Sequence, residues 1–462
     1  MSMITNSIIL FLYFIAILFA VSFITKPKTQ EDYLTANRSV SATRMAISIA
    51  TTWIWAPAIF VSAEQAYTNG YAGLLWFLVP NVLCLFLFIP FAIRIRNKMP
   101  YGYTLSEFMN KTYGKRVKNI YLFQLSALAL LSTVVQLVAG GKIVAVMTGI
   151  PFWITTIILG LIALFYSIGK GIRTSVSTDF IQLVMILGTL FILVPMSTDL
   201  VSFETLKQGF KGINNDITLF NENGITLMLT FGIPTMIGLL SGPFGDQNFY
   251  QRIFSVKRNQ IKRSLILAAF IFATVPILMS TLGFVASSIN FEAQDKSIVN
   301  LELINTFMPS WAGTLFMLIV LSVLLSTVNS NLNSFSSLVV DIKKKPKIKD
   351  FKLSMVLLTI ISIILSNIPL TIIDFFLIYG TLRATTFSTT VLTLLNVRIH
   401  ESGVFYGILT SLLVGLPTFI YGKVNNITSI IITGSLGALL LSGIVALIVT
   451  YLVDLKIARN SK

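Results

Sequence analysis

The sequence predicts an all-α polytopic membrane protein with about 13 transmembrane helices. Hydrophobic residues make up 55% of its 462 positions, charged residues make up 11%, and the mean hydropathy is +0.83. Soluble domains carry about 25% charged residues. Apolar runs long enough to cross a bilayer recur along the whole chain, and the polar segments between them are too short to form a soluble core. We therefore expect one transmembrane domain over residues 1–462.

The predicted spans form one leading helix, two groups of five helices and two trailing helices. Because the runs are long and do not alternate, they favour helices over the strands of a membrane barrel. The leading helix is 5–24, which we expect to be retained rather than cleaved. The first group, 42–197, contains 42–70, 72–95, 117–148, 151–169 and 174–197; the second, 225–396, contains 225–244, 264–288, 311–340, 353–370 and 372–396; the trailing segment, 403–452, contains 403–421 and 428–452.

The net charge of +16 predicts orientation rather than binding to nucleic acid. Most lysines and arginines fall in every second connection, including the clusters 94–118, 252–263 and 343–352. Basic residues gather on the cytoplasmic side of membrane proteins. We expect a multi-pass protein of the cell membrane with its N-terminus outside and its C-terminus in the cytoplasm, a lipid bilayer as its partner, and a monomer or weak oligomer.

Cysteine and histidine are almost absent. Cys84 is the only cysteine and His400 is the only histidine. One cysteine forms no intramolecular disulfide and no cysteine-based metal site. Because no histidine lies deep within a span, we expect neither an enzyme nor a resident cofactor.

Two spans carry helix-breaking residues at matching positions. Pro57 lies in the middle of the second span, where proline removes a backbone donor. The seventh span contains Gly232-Ile-Pro234 and then the stretch Gly238 to Pro243. Five spans separate the two sites, as in transporters built from two inverted five-helix repeats, whose interrupted helices bind the solute. The alternative is that these residues only kink their helices.

The ninth span carries a stripe of polar side chains. Six of them recur at intervals of three or four residues, which places them on one helix face. Hydroxyl and carbonyl oxygens suit a small hard cation such as Na⁺. The alternative is hydrogen bonding between packed helices. The stripe consists of Ser322, Ser326, Asn329, Ser330, Asn333 and Ser337.

A few ionisable residues lie inside the predicted spans, where they are costly and commonly functional. Lys142 is a candidate for binding a substrate carboxylate, or else the partner of a buried acid. Arg383 and Asp374 are expected to be structural, because each side chain could extend to a nearby membrane interface or form an ion pair there. Glu64 is expected to line an outer vestibule, and Asp179 lies near the cytoplasmic end of the sixth span.

Four motifs in order resemble the sodium:solute symporter family, which includes proline, glucose, sialic acid and urea carriers. They are Asp32-Tyr-Leu-Thr-Ala-Asn-Arg38, Ser177-Thr-Asp-Phe-Ile-Gln182, Gln251-Arg252 with Ser255-Val-Lys257, and Ser326-Thr327 with its serine-rich continuation. The resemblance implies the 13-span form of the inverted-repeat leucine-transporter fold. It also implies alternating access driven by inward sodium movement.

The resemblance also implies ion sites. The main sodium site would use the backbone oxygens of Ile54, Pro57 and Val323 and the hydroxyls of Ser326 and Thr327. A second sodium site, found in some members, would fall on Asp179, Ser326, Asn329 and Ser330.

The resemblance also implies that the substrate is a small polar organic solute. Sequence around the second and seventh spans is similar to the urea branch, whereas Lys142 is similar in position to an arginine that reads a carboxylate in the sialic acid branch. We expect import of a carboxylate-bearing solute such as an organic acid, amino acid or sialic acid, with a neutral urea-type solute as the alternative. The candidate substrate residues are Trp53, Trp55, Ala56, Lys142, Phe244 and Gln247.

Two other functional classes stay open at this point. A channel would need a filter or a charged ring, of which the sequence carries no sign, and a transporter-like sensor would usually carry a soluble signalling domain. Saturable uptake that requires a sodium gradient distinguishes a symporter from both.

Overall fold

A computed structural model describes residues 3–24, 26–169, 171–214 and 218–460. The two ends of the predicted domain and the short segments between these ranges lie outside the described residues. The helical segments are α1 Met3–Ser22, α2 Gln30–Thr35, α3 Ala42–Trp53, α4 Ala56–Lys98, α5 Leu105–Tyr113, α6 Lys115–Thr148, α7 Phe152–Ser167, α8 Ile172–Thr198, α9 Phe203–Gly209, α10 Glu222–Leu227, α11 Ile233–Leu240, α12 Gly242–Gly245, α13 Gln247–Ser255, α14 Ile261–Ser288, α15 Val299–Phe307, α16 Ser310–Ser337, α17 Val339–Ile342, α18 Ile348–Leu365, α19 Ile372–Ala384, α20 Phe387–Leu394, α21 Glu401–Thr410, α22 Leu416–Val424 and α23 Thr428–Asn460.

These helices confirm the predicted all-α membrane fold class. Helical segments lie at each predicted span, and within the described ranges nine helices are long and apolar enough to cross a membrane. The count of 13 spans and the bounds of the two repeats stay predictions.

The long helix α4 contains two predicted spans because the chain reverses within it. Gly70 has φ +60°, outside the helical region. A Cβ at Gly73 would lie 2.6 Å from the carbonyl oxygen of Gln65, whereas residues eight apart in a straight helix are about 12 Å apart along the axis. The reversal coincides with the boundary that the sequence predicts between its second and third spans.

The first predicted break is confirmed. Helix α3 ends at Trp53 and α4 begins at Ala56, so that Ile54 and Trp55 are not helical. Pro57 lies in the first turn of α4, where a proline costs no hydrogen bond because first-turn N–H groups have no helical acceptor. The proline therefore ends one helix and begins the next.

The second break lies a few residues later than predicted. A π-helical turn at Met228–Gly232 precedes Pro234. The predicted break from Gly238 to Pro243 is not a break: α11 and α12 meet there at Ser241, whose backbone angles are themselves helical. The extended residue is Asp246, with φ −113° and ψ 120°. Proline fits the first turn of α12, as it does in α4, so Pro243 does not produce the break.

One end of the bundle is closed by contacts between distant segments. We call the end that carries Lys98 and Lys115 the inner end, because the charge bias predicts that it is cytoplasmic, and the opposite end the outer end. At the inner end, Val40 exchanges backbone hydrogen bonds with Ser255 and Lys257. Arg38 donates to the carbonyl oxygens of Tyr101, Gly102 and Phe254. These bonds hold the segment before α3 against the end of α13.

Candidate ion and solute sites

The two broken helices meet at a buried arginine. Arg383, which is 3% exposed, donates from Nη2 to Asp246 Oδ2 at 2.9 Å and to the Tyr379 hydroxyl at 2.7 Å. The Tyr379 hydroxyl donates to the same Asp246 oxygen at 2.7 Å. Since Asp246 is the extended residue of the second break, α19 is tied directly to that break.

Aromatic rings from α19 and from the first break surround the Arg383 guanidinium. Its central carbon lies 3.9 Å from the ring centroid of Tyr379, 5.0 Å from that of Trp53 and 5.5 Å from that of Trp55. A cation over such rings is attracted by their negative faces. Gly242 makes the approach possible, because a Cβ there would lie 2.5 Å from the Trp53 ring. We call Trp53, Trp55, Asp246, Tyr379 and Arg383 the central cluster.

Buried donors without partners surround the central cluster. The Gln136 side chain accepts from the Ala56 N–H at 3.0 Å, which satisfies one donor freed by the first break. Within the described residues, Gln136 Nε2, Trp55 Nε1 and Arg383 Nε have no acceptor. Each unsatisfied buried polar group costs about 1–3 kcal/mol. A polar ligand or water that accepted these bonds would therefore bind favourably.

Three of the predicted substrate residues, Trp53, Trp55 and Ala56, lie at the central cluster, and three lie elsewhere. Phe244 packs its ring against Phe88, Phe91 and Phe387, with centroids 4.9–5.2 Å apart.

Gln247 lies in the contacts of the inner end. Its side chain accepts from the Leu105 N–H and donates to the Tyr103 carbonyl and the Ser337 hydroxyl, at 2.9–3.2 Å. Both ends of its amide are occupied, so it offers no free group to a solute.

Lys142 lies at the outer end rather than in the central cluster. Its ammonium pairs with Asp295 in the connection between α14 and α15 and donates to the Ser297 hydroxyl at 2.8 Å. Partial burial acts to raise the pKa of Asp295, but the hydrogen bonds from Lys142 and Ser297 outweigh it and hold that pKa below its usual range. Of the two interpretations of Lys142, this geometry matches the partner of an acid.

The polar stripe of α16 faces a buried carboxylate on α8. Asp179 is fully buried and accepts hydrogen bonds from Ser48 at 2.5 Å, Ser326 at 2.7 Å and Ser175 at 3.3 Å. Because the Ser326 hydroxyl gives its hydrogen to Asp179, its oxygen keeps lone pairs for another partner.

A buried arginine completes this group. Arg252 Nη2 donates to Thr52 at 2.5 Å and to Ser330 at 2.6 Å, and lies 3.8 Å from Asp179 Oδ2. The arginine is 1% exposed. Its positive charge therefore lies beside Asp179 and Ser330, two of the four residues of the predicted second sodium site.

The fourth residue of that site, Asn329, is turned elsewhere. Its side-chain oxygen, Oδ1, accepts a hydrogen bond from Asn333 Nδ2 at 2.7 Å, and its Nδ2 has no acceptor within the described residues. The structure therefore brings together Asp179, Ser326 and Ser330 but leaves Asn329 out.

The first break runs beside the serine-rich part of α16. Thr52, just before the break, lies 2.9 Å from the Ser330 hydroxyl. Phe60, just after it, packs on Phe316 with ring centroids 6.2 Å apart. The break lies between these contacts. Thr327, which is 2% exposed, has a hydroxyl without a partner among the described residues.

Sequence reasoning missed several central residues. Asp246, Tyr379 and Gln136 were not predicted, and Arg383 was expected near an interface rather than in the centre. The available signal was the rule that an ionisable residue inside a span is functional by default. The expectation for Asp374 agrees with the structure: it caps α19 through Thr371 and pairs with Lys423 at 3.5 Å.

The family is decided by a match along most of the chain. The profile of the Sodium:solute symporter family matches residues 33–411. The chain belongs to the sodium:solute symporter family. The family is named for symporters, and within the described residues the nine long apolar helices indicate a multi-pass membrane protein.

The curated relatives of this chain are named for different solutes. It is 25% identical over 265 residues to the probable urea active transporter 2 of Schizosaccharomyces pombe and 21% identical over 341 residues to the urea-proton symporter DUR3 of Oryza sativa subsp. japonica. These matches cover 55% and 67% of the chain but 39% and 47% of the relatives, so the chain spans less than half their length. It is 26% identical to the sodium/pantothenate symporter of Haemophilus influenzae, over 72% of the chain and 70% of the relative.

Solved structures share the fold of this symporter. A Na⁺-coupled sialic acid symporter in a substrate-bound outward-open state superimposes with a TM-score of 0.76 at 19% identity, covering 96% of this chain and 98% of that one. MhsT in complex with L-phenylalanine gives a TM-score of 0.56 at 14% identity, covering 89% and 98%. The predicted leucine-transporter fold is thereby confirmed.

Proposed function

We propose that this symporter imports a small neutral polar solute by alternating access, driven by one sodium ion. The solute binds at the central cluster, and sodium binds between the first break and α16. The observation that carries the proposal is the meeting of both broken helices at Arg383, with buried donors on Gln136, Trp55 and Arg383 left unsatisfied.

Sodium is coordinated by the backbone oxygens of Ile54, Pro57 and Val323 and by the hydroxyls of Ser326 and Thr327. Two features support this site. The Ser326 hydroxyl donates to Asp179, which turns its lone pairs away from that bond. The Thr327 hydroxyl is buried and has no partner among the described residues, so its lone pairs are available to a cation.

A second sodium ion does not bind at Asp179, Ser326, Asn329 and Ser330. The Arg252 guanidinium already supplies a positive charge 3.8 Å from Asp179 and 2.6 Å from the Ser330 hydroxyl. Two like charges about 4 Å apart in a protein repel by about 4 kcal/mol at an effective dielectric constant of 20. This repulsion supports a stoichiometry of one sodium ion.

The charges of the central cluster favour a neutral solute. The charges of Arg383 and Asp246 cancel each other, so the cluster has no net charge to pair with an ionic solute, while its unsatisfied donors suit the carbonyl oxygen of an amide or urea group. Lys142, the residue expected to read a carboxylate, is paired with Asp295 at the outer end. The urea transporters among the relatives support the same solute class. This reverses the preference for a carboxylate that the sequence alone suggests.

A carboxylate-bearing solute is the second candidate. The match to the sodium/pantothenate symporter covers 70% of that protein, and Arg383 Nε is a buried charged donor without a partner in the described part of the chain. Such a solute would have to displace Asp246 from Arg383.

Thermal stabilisation by matched ligands tests the proposal. Acetamide and acetate have nearly the same shape, but only acetamide is neutral and offers a donor. Purified protein is heated with urea, acetamide, acetate, pantothenate or sialic acid, each in Na⁺ and in K⁺. We expect stabilisation by urea or acetamide that requires Na⁺. Stabilisation by acetate or pantothenate alone would establish the second candidate, and shifts that follow pH but not Na⁺ would contradict sodium coupling.

A further inference from the structure

A line of polar side chains connects the central cluster with the inner end. It runs from the end of α5 along α6, where both face the segment from α19 to α20. Its inner part is fully hydrogen bonded: the Tyr121 hydroxyl contacts those of Thr389 and Thr390 at 3.1 and 2.9 Å, and the partly exposed Tyr113 hydroxyl contacts that of Thr393 at 2.9 Å.

Between this bonded part and the central cluster, the polar groups have no partners. Gln124 is fully buried, and neither its amide nitrogen nor its amide oxygen has a hydrogen bond within the described residues. The same holds for the hydroxyl of the fully buried Thr386. Gln124 lies nine residues into α6, about 14 Å along the axis from its inner end.

A glycine of the second broken helix adjoins both groups. A Cβ at Gly245 would lie 3.4 Å from Gln124 Nε2, 3.4 Å from Thr386 Oγ1 and 3.2 Å from the Arg383 carbonyl oxygen. Gly245 directly precedes Asp246, so the point where these groups converge adjoins the central cluster. A Cβ at position 245 would press against all three atoms, so only glycine leaves the two side-chain groups uncovered here.

Packing alone does not explain this arrangement. Polar side chains that hold membrane helices together do so by bonding across the interface, as Tyr121 and Tyr113 do. Within the described residues the amide of Gln124 and the hydroxyl of Thr386 have no hydrogen-bond partner, and adjacent buried polar groups left unsatisfied call for a specific cause. A polar guest that arrives and leaves is such a cause.

We propose that Gln124, Gly245 and Thr386 form an inner solute subsite, which the solute occupies after leaving the central cluster and before reaching the cytoplasm. The subsite offers two donors and two acceptors and no charged side chain. It therefore accepts a small neutral solute with both donor and acceptor groups, such as urea or an amide. This inference rests on the proposed function for the identity of the solute, but not for the accessibility of the subsite.

Cysteine labelling tests the accessibility. In a Cys84→Ala background, which removes the buried native thiol, Thr386→Cys is compared with Ser362→Cys. Ser362 is an apt control because it is also fully buried with an unpartnered hydroxyl, but lies on α18. Inside-out vesicles are treated with a charged methanethiosulfonate reagent in K⁺ and in Na⁺. We expect Thr386→Cys to react at least about tenfold faster than Ser362→Cys in K⁺, and more slowly in Na⁺.

The outcomes separate the two proposals. Equal, slow reaction of both cysteines in both salts would overturn the inner subsite. Fast reaction of Thr386→Cys that is the same in Na⁺ and K⁺ would support the subsite and contradict sodium coupling.

Exchange of radiolabelled urea in proteoliposomes tests solute contact. Gln124→Leu and Thr386→Val should each slow exchange about tenfold, as expected for one lost hydrogen bond, while Ser362→Ala leaves it unchanged. If both variants exchange urea at the wild-type rate, the subsite holds water only and the inference fails. If the wild type exchanges no urea, the labelling comparison alone decides.

Discussion

Replacing Thr327 by valine separates an ion ligand from a structural hydroxyl. The two side chains have nearly the same shape, so the change removes only the oxygen. Because that oxygen has no hydrogen-bond partner among the described residues, its loss leaves no partner unsatisfied. The free energy of unfolding in K⁺ should therefore be unchanged or slightly raised.

Sodium binding should weaken sharply in the same variant. A hydrogen bond to a charged group contributes about 1.5–3 kcal/mol, and we take this as the measure of one hydroxyl ligand. At about 1.4 kcal/mol per factor of ten, sodium affinity should fall roughly 10- to 150-fold.

The assay is a sodium titration of thermal stability at constant ionic strength. Thr327→Ser keeps the oxygen and should remain within about threefold of the wild type. Thr235→Val is the matched control, because Thr235 is also buried with an unpartnered hydroxyl but lies on α11. An unchanged sodium midpoint in Thr327→Val, or a loss of stability in K⁺, would refute the assignment.

Three further predictions concern the buried and outer ion pairs. Arg383→Met should lower the free energy of unfolding by about 3–5 kcal/mol, because it leaves Asp246 buried without its partner; thermal unfolding checks this, and Arg383→Met with Asp246→Asn should recover part of the loss. Lys142→Ala should leave the affinity for urea or acetamide within about twofold in sodium-dependent thermal shifts, whereas loss of that binding would restore Lys142 as a solute residue. The Lys142–Asp295 pair is partly exposed, so Asp295→Asn should lower the free energy of unfolding by no more than about 1 kcal/mol at pH 7. Because folding depresses the pKa of Asp295, the stabilisation by this pair should be present above pH ~4 and vanish as the pH falls below it.

The sequence predicts features that depend on neighbouring residues. Apolar runs locate the spans because bilayer thickness sets their length. Pro57 locates the first break because proline acts on its own turn. The second break was placed too early, at Gly238 to Pro243, because proline is compatible with the first turn of a new helix, and the extended residue is instead Asp246.

Pairings between distant residues were beyond such reasoning. Asp246 and Arg383 lie 137 positions apart, and local periodicity carries no information about which helices bring them together. Lys142 was a candidate either for reading a carboxylate or for pairing with an acid, and the sequence could not decide because Asp295 lies 153 positions away in a connection between spans. Residue types thus identified the candidates, but only the packing of the helices assigned their partners.

Sodium-driven uptake in reconstituted proteoliposomes tests the central claim most directly. Radiolabelled urea is supplied outside, with an inward gradient of Na⁺ or, as the control, of K⁺, at equal pH on both sides. The account predicts saturable accumulation above equilibrium with Na⁺ only, abolished by gramicidin and shifted to higher sodium concentration in Thr327→Val. Accumulation of urea that requires a proton gradient but not sodium, or no response to either ion, would contradict it.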